Sequence, residues 1–95
     1  IYRERAVARG NGNWLVQRAI RAPSHCDFTL AEQTNAFDAM VNWSDNGVVP
    51  AGDDVLNPAT VADPNYGCAF STTPVSGVDS AGLIAVRAAM PACAP

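Results

Sequence analysis

The sequence contains no lysine, only one histidine and no apolar run that could cross a bilayer. The longest apolar-plus-glycine stretch, Ala81 to Val86, is far shorter than the roughly 20 residues of a membrane-spanning helix. The net charge is −3, which argues against the phosphate backbone of a nucleic acid as the main ligand. We therefore expect neither a membrane nor a nucleic acid among the partners.

The few charges are unevenly distributed along the chain. Residues 1–21 hold five arginines against Glu4, a balance of +4, and residues 22–95 hold Arg87 against eight carboxylates, a balance of −7. Such asymmetry can mark a basic arm for nucleic acid, but a solvated helix face is the more ordinary interpretation. The 95 residues are 48% hydrophobic, a globular composition with room for one domain.

No motif for a metal or a cofactor is present. The three cysteines are 42 and 25 residues apart, without the CxxC spacing of zinc sites. Asp53-Asp54 lacks the spacing of a calcium loop, so turn or cap roles are favoured. P-loop, dinucleotide and HExxH motifs are also missing. We expect no cofactor and no metal.

The first 47 residues show regular local patterns. Good helix formers predict a helix at Tyr2–Arg9, and an apolar run predicts a strand at Leu15–Ile20. Thr29 opens a capping box and Gly47 provides a stop, which together predict a helix over Leu30–Asp45. The apolar stripe of this helix could line a ligand pocket, but a core-facing stripe is favoured; its members are Leu30, Phe37, Met40 and Val41.

Residues 48–95 form a second region, rich in proline and glycine. We predict an irregular tail that packs on residues 1–47, with short strands at Tyr66–Ser71 and Gly82–Ala88. A single good strand at Leu15–Ile20 would leave unpaired backbone groups on both edges. The first region therefore favours a segment that completes another polypeptide's sheet.

His25 is the candidate catalytic residue. It lies in a loop directly after the predicted strand, where open α/β sheets place functional side chains. Imidazole is suited to general base catalysis because its reference pKa lies near neutrality. A surface histidine without a role is the alternative. A nucleophilic pair with Cys26 is not favoured, because catalytic cysteine and histidine are usually neighbours in space and not in sequence.

The run from Leu15 to Leu56 resembles the C-terminal part of bacterial serine hydrolases of the α/β-hydrolase fold. The similarity covers about residues 1–70 and is most specific where the strand, His25-Cys26 and the capping box follow one another. In that superfamily the histidine of the triad follows the last strand and precedes the last main helix. The resemblance implies an α/β fold in which Leu15–Ile20 is the last strand, His25 the base and Leu30–Asp45 the closing helix.

The resemblance also implies a function and partners. The nucleophilic serine and the acid would lie upstream of Ile1 or on a partner chain, so this chain alone would be inactive. The substrate would be a small ester, thioester or amide. Because residue 1 is Ile rather than Met, we expect a processed chain or part of a longer one. The alternative function is a non-catalytic, disulfide-stabilised binding module that uses Trp14, Tyr66 or the tail as its contact surface.

The odd number of cysteines predicts one disulfide and one spare thiol, either unpaired or bonded to a partner outside the chain. Cys26 and Cys68 both fall in loops beside structured segments, so we predict that they pair and leave Cys93 unpaired or bonded elsewhere. A disulfide favours a secreted or periplasmic protein. Three reduced cysteines in a cytoplasmic protein are the alternative.

Overall fold

The computed structural model describes residues 1–93, which form four α-helices joined by turns and extended segments. The helices are α1 (Tyr2–Ala8), α2 (Leu30–Asn46), α3 (Pro58–Ala62) and α4 (Ala81–Ala88), with a 3-10 turn at Gly12–Trp14. The helices predicted at Tyr2–Arg9 and Leu30–Asp45 are confirmed to within one residue at each end.

The capping box of α2 is confirmed in atomic detail. The Thr29 hydroxyl accepts a hydrogen bond from the Glu32 amide at 3.0 Å, and a Glu32 carboxylate oxygen accepts one from the Thr29 amide at 2.9 Å. At the other end, Gly47 adopts a left-handed conformation with φ of 69°, which residues with a side chain rarely adopt. Both ends of α2 are therefore determined by local sequence.

The predicted α/β fold class is wrong, because no sheet forms anywhere in residues 1–93. The only β-bridge in that range joins Ser76 and Asp79 within a single turn. The segment Leu15–Ile20 runs outside any helix or sheet ladder. The chain is thus not the C-terminal part of an α/β-hydrolase sheet.

Side chains and one loop close one edge of the segment Leu15–Ile20 in place of a second strand. The Asp53 carboxylate accepts a hydrogen bond from the Ala19 amide at 2.7 Å, and the Asp53 amide donates to the Gln17 carbonyl at 2.8 Å. The loop comes so close that a Cβ on Gly52 would lie 2.7 Å from the Val16 side chain. These contacts satisfy isolated backbone groups without building a ladder.

The two strands predicted in the tail are also wrong. Gly82–Ala88 lies within α4, because the Ser80 hydroxyl accepts a hydrogen bond from the Leu83 amide at 3.1 Å and so caps a helix. Leu83 and Arg87, four residues apart, then face inward on one side of that helix. Tyr66–Ser71 consists of turns and bends. The last two residues of the tail, 94 and 95, lie outside the described residues.

The centre of the molecule is polar. No apolar side chain is buried among the described residues, whereas Thr29, Glu32 and Arg87 are. The accessible surface is 6687 Å², about 1,500 Å² more than the roughly 5,200 Å² expected of a compact monomer of this mass. The radius of gyration is 14.7 Å, against about 12.4 Å expected for the length. The chain therefore leaves a large surface uncovered.

The apolar stripe of α2 accounts for part of this uncovered surface. The prediction that it faces a core is wrong: Phe37 is 66% exposed and Met40 is 61% exposed. The inward face of α2 is instead the one that carries Glu32, Ala39 and Trp43. The helix turns this face inward, in place of the apolar stripe, because Glu32 is held at the buried polar centre.

The disulfide joins Cys68 to Cys93, and Cys26 is a free, exposed thiol. The predicted Cys26–Cys68 pairing is therefore wrong. Arg21 holds the two cysteine segments together, because its guanidinium donates hydrogen bonds to carbonyls that lie within four residues of Cys68 or Cys93. These acceptors are Pro64, Tyr66, Pro91 and Ala92.

Candidate functional site

His25 lies in an exposed turn between the extended segment and α2. Pro23 restricts the approach to this turn, and the capping box at Thr29 determines where the following helix begins. Cys26 has a φ of 66°, a left-handed conformation that is uncommon for a residue with a side chain and turns the chain sharply. The imidazole is thus displayed on a short, doubly anchored loop.

The His25 Nδ1 atom lies 2.9 Å from the Cys26 sulfur. The sequence argues against a contact between these neighbours, and the left-handed Cys26 backbone is the feature of the turn that it does not predict. Because Nδ1 faces the sulfur, Nε2 is the nitrogen left free for another group. Both side chains are exposed, so a partner or a substrate can reach them.

The rest of a hydrolytic triad is not assembled around His25 by the described part of the chain. Within residues 1–93, no serine hydroxyl and no carboxylate lies within hydrogen-bonding distance of the imidazole. The structure therefore brings together His25 and Cys26, but not Cys26 and Cys68, which were predicted to pair.

A buried ion pair anchors the loop that carries His25. Arg87 on α4 and Glu32 on α2 meet side by side through two short bonds, Nη1 to Oε1 at 2.6 Å and Nη2 to Oε2 at 2.7 Å. Arg87 Nη1 also donates to the Asp27 carbonyl at 3.0 Å, two residues beyond His25. Such bidentate geometry is characteristic of strong arginine–carboxylate pairs.

Two threonines complete this polar centre. The Thr72 amide donates to Glu32 Oε2 at 2.8 Å, and the Thr29 and Thr72 hydroxyls lie 2.6 Å apart. Each Glu32 carboxylate oxygen thus accepts one backbone and one arginine hydrogen bond. Hydrogen bonds within this cluster therefore connect the His25 loop, α2, the segment around Thr72 and α4.

Electrostatics in this cluster favour the charged form of both partners. Burial by itself would raise the pKa of the Glu32 carboxyl, but hydrogen bonds from Arg87, Thr72 and Thr29 outweigh that effect and lower it. The hydrogen bond that Arg87 donates to Glu32 raises the pKa of Arg87. The pair therefore remains ionised over the whole neutral range.

The buried role of Arg87 is not predicted from the sequence. The available signal is an arginine within the otherwise apolar run Gly82–Ala88, which is also the only arginine or lysine after Arg21. An isolated charge on an apolar face requires a buried partner. Glu32 could be recognised only as a capping residue, because its second partner lies 55 positions away.

The other candidates occupy ordinary structural positions. Asp53 bonds the extended segment, as described above, and no group of three or more histidine, cysteine or acidic side chains in residues 1–93 is placed to hold a metal ion. No helix in that range is long and apolar enough to span a bilayer. Trp14 is 77% exposed, and Tyr66 is half-buried.

Comparison of the chain with protein-family models, with curated proteins and with solved structures found no match.

Proposed function

We propose that this chain supplies the general base, His25, to a serine hydrolase whose serine and acid come from another segment or a partner chain. The observation that carries the proposal is the exposed imidazole on a loop anchored by the Glu32–Arg87 pair, with Nδ1 against the Cys26 sulfur and no hydrogen bond at Nε2 within residues 1–93. A loop held at both ends keeps a base in position, which is what proton transfer in a hydrolase requires.

In the proposed reaction, His25 Nε2 takes the proton of the serine hydroxyl as the serine oxygen bonds to the acyl carbon of an ester, thioester or amide. The same proton passes to the leaving group when the bond between it and the acyl carbon breaks. A carboxylate of the other segment would replace the Cys26 sulfur at Nδ1 and orient the ring. Hydrolysis of the acyl-enzyme by water repeats the two proton transfers.

The exposed surface supports the need for a second segment. The excess of about 1,500 Å² over a compact monomer exceeds the roughly 800 Å² that each partner contributes to a standard interface. The exposed stripe of α2 lies within this surface. A partner that brings the serine could cover it.

A fluorophosphonate probe tests the proposal on the native species. Its phosphorus bonds to the activated serine oxygen as fluoride leaves, and His25 accepts the serine proton. We expect one serine in the native assembly to be labelled, with the rate lowered at least a hundredfold by His25→Ala and unchanged by Ser24→Ala in the same turn. Equal labelling rates in all three proteins would contradict the proposal.

A binding module is the second candidate function. The exposed indole of Trp14 and the exposed stripe of α2 favour it, since exposed aromatic and apolar side chains are typical anchors of protein interfaces. The two functions predict different native species: the hydrolase requires a second segment that carries the serine, whereas the binding module does not. A native mass equal to this chain alone, with no probe-reactive serine, would favour the binding module.

The disulfide Cys68–Cys93 supports a secreted or periplasmic location, because disulfides persist in oxidising compartments. Cytoplasmic protein would carry both of these cysteines reduced. Alkylation of the protein in freshly lysed cells, before air oxidation, separates the two locations.

A further inference from the structure

The second edge of the segment Leu15–Ile20 is uncovered. In residues 1–93, the amides of Val16, Arg18 and Ile20 and the carbonyls of Val16 and Arg18 have no protein hydrogen-bond partner. These residues are half-buried, and unpaired polar backbone in such a position is costly. The alternate residues Gln17 and Ala19 are bonded to Asp53 on the opposite edge.

The alternation of bonded and free backbone groups indicates what kind of partner the free edge can bind. Donor and acceptor pairs that recur at every second residue along one edge match the pattern that an extended peptide presents. The edge offers the amide and carbonyl of Val16 and Arg18 and the amide of Ile20, whose carbonyl accepts from the Ala22 amide at 2.8 Å. Helices and small molecules cannot reach these five groups in a line. An added strand satisfies all of them and gains main-chain hydrogen bonds, a recurrent mode of peptide recognition.

Two features restrict the binding partner. The opposite edge is closed by Asp53 and Ser71, so the segment accepts one strand and no sheet extends across it. Arg18 lies at the middle of the free edge, and antiparallel pairing of two copies about it would place two Arg18 side chains opposite each other. Like charges in directly opposed positions are destabilising, which argues against a second copy of this chain.

We propose that Val16–Ile20 binds one extended segment of a different polypeptide by strand addition, with an acidic residue of that segment opposite Arg18. The Arg18 guanidinium bonds the Ala51 carbonyl through Nε and stacks 4.2 Å from the Phe70 ring centre. Its position is therefore fixed, and its terminal nitrogens have no other partner among the described residues. The inference names a surface for the partner in the proposed function, but does not depend on the catalytic role of His25.

A synthetic eight-residue peptide of alternating valine and threonine with one central glutamate tests the inference on the 95-residue chain. Amide chemical shifts and hydrogen exchange are followed by NMR as the peptide is added. We expect saturable shifts and slowed exchange at Val16, Arg18 and Ile20. N-methylation of the peptide at alternate residues, which removes its donors, should weaken binding at least tenfold.

Charge and backbone variants sharpen the test. A peptide with a central lysine should bind at least tenfold more weakly than the glutamate peptide, and Arg18→Glu should reverse that order. His25→Ala should leave peptide binding unchanged, which separates this inference from the proposed function. Helix content measured by circular dichroism verifies that Arg18→Glu is folded. The comparison with the N-methylated peptide uses the native chain, so its result does not depend on the folding of any variant.

Three results would overturn the inference. They are shifts that avoid the Val16–Ile20 edge, binding that is insensitive to N-methylation, and concentration-dependent self-association whose shifts map to that edge. The last result would assign the edge to a second copy of this chain.

Discussion

Arg87 lies on a helix that is otherwise mostly apolar, and its guanidinium reaches the Glu32 carboxylate in the buried centre of the molecule. Arg87→Ala should destabilise the fold by about 3–5 kcal/mol, because it leaves a buried, uncompensated carboxylate. Arg5→Ala, at an exposed position of α1, is the control and should change stability by less than about 0.5 kcal/mol. Urea unfolding of the native species, followed by circular dichroism, measures both, and equal midpoints would contradict the role of the ion pair.

The pH dependence of stability should reveal the same pair. The pKa of Glu32 is lower in the folded chain than its usual value, so its contribution is fully present above pH of about 4.5 and is lost as the pH falls through the folded-state pKa. The free-energy difference between the native chain and Glu32→Gln should therefore be constant from pH 8 to 5 and shrink below that. A difference that grows on acidification would contradict this assignment.

At the scale of secondary-structure elements, the Thr29 cap should matter more than an ordinary cap. Thr29→Ala removes the hydroxyl that caps α2 and contacts Thr72 at 2.6 Å, and Thr29 is only 1% exposed. We expect a loss of roughly 1–2 kcal/mol. Thr34→Ala, at an exposed position inside the same helix, should be neutral or slightly stabilising because alanine is the better helix former.

The disulfide provides an independent test of how the tail is attached. Non-reducing peptide mapping should recover Cys68 linked to Cys93, with only Cys26 alkylated under native conditions. In the chain-entropy treatment, a closed loop of 25 residues stabilises the fold by about 3.5 kcal/mol. Cys68→Ser with Cys93→Ser should lower the unfolding midpoint accordingly, while Cys26→Ser leaves it unchanged. A linked Cys26 peptide would contradict the structure.

Local signals were readable from the sequence, and long-range pairings were not. The capping box at Thr29 and the stop at Gly47 act within a few residues, and α2 was predicted nearly to the residue. The Leu, Ile and Val side chains of the run Gly82–Ala88 suit a strand, whereas the Ser80 cap that makes the run a helix is a single hydroxyl. The Cys68–Cys93 pairing depends on Arg21, which bonds carbonyls 43 to 71 positions away.

The candidate site shows the same contrast between local sequence signals and long-range contacts. His25 could be singled out because it is the only histidine and follows an apolar segment. Its contact with Cys26 depends on one left-handed backbone conformation, and its anchoring depends on Arg87, 62 positions further along the chain. Neither feature has a local sequence signature, so only the folded chain reveals them.

At the scale of the whole molecule, the absence of a fully buried apolar side chain in the described residues has a thermodynamic consequence. Hydrophobic burial is the main favourable term in folding, so the chain alone should melt in a broad, weakly cooperative transition. Differential scanning calorimetry measures this directly. A sharp two-state transition of a monodisperse monomer would show that the chain is a self-sufficient domain and would favour the binding module.

The central claim is that His25 acts as the base for a serine that another segment provides. The most direct test is the turnover of a p-nitrophenyl ester by the native species that contains the serine, with His25→Ala compared against Ser24→Ala in the same turn. We predict that His25→Ala lowers kcat by about 10⁴-fold, while Ser24→Ala retains full turnover and both variants keep the helix content of the native protein. Undiminished turnover by a folded His25→Ala protein would contradict the claim.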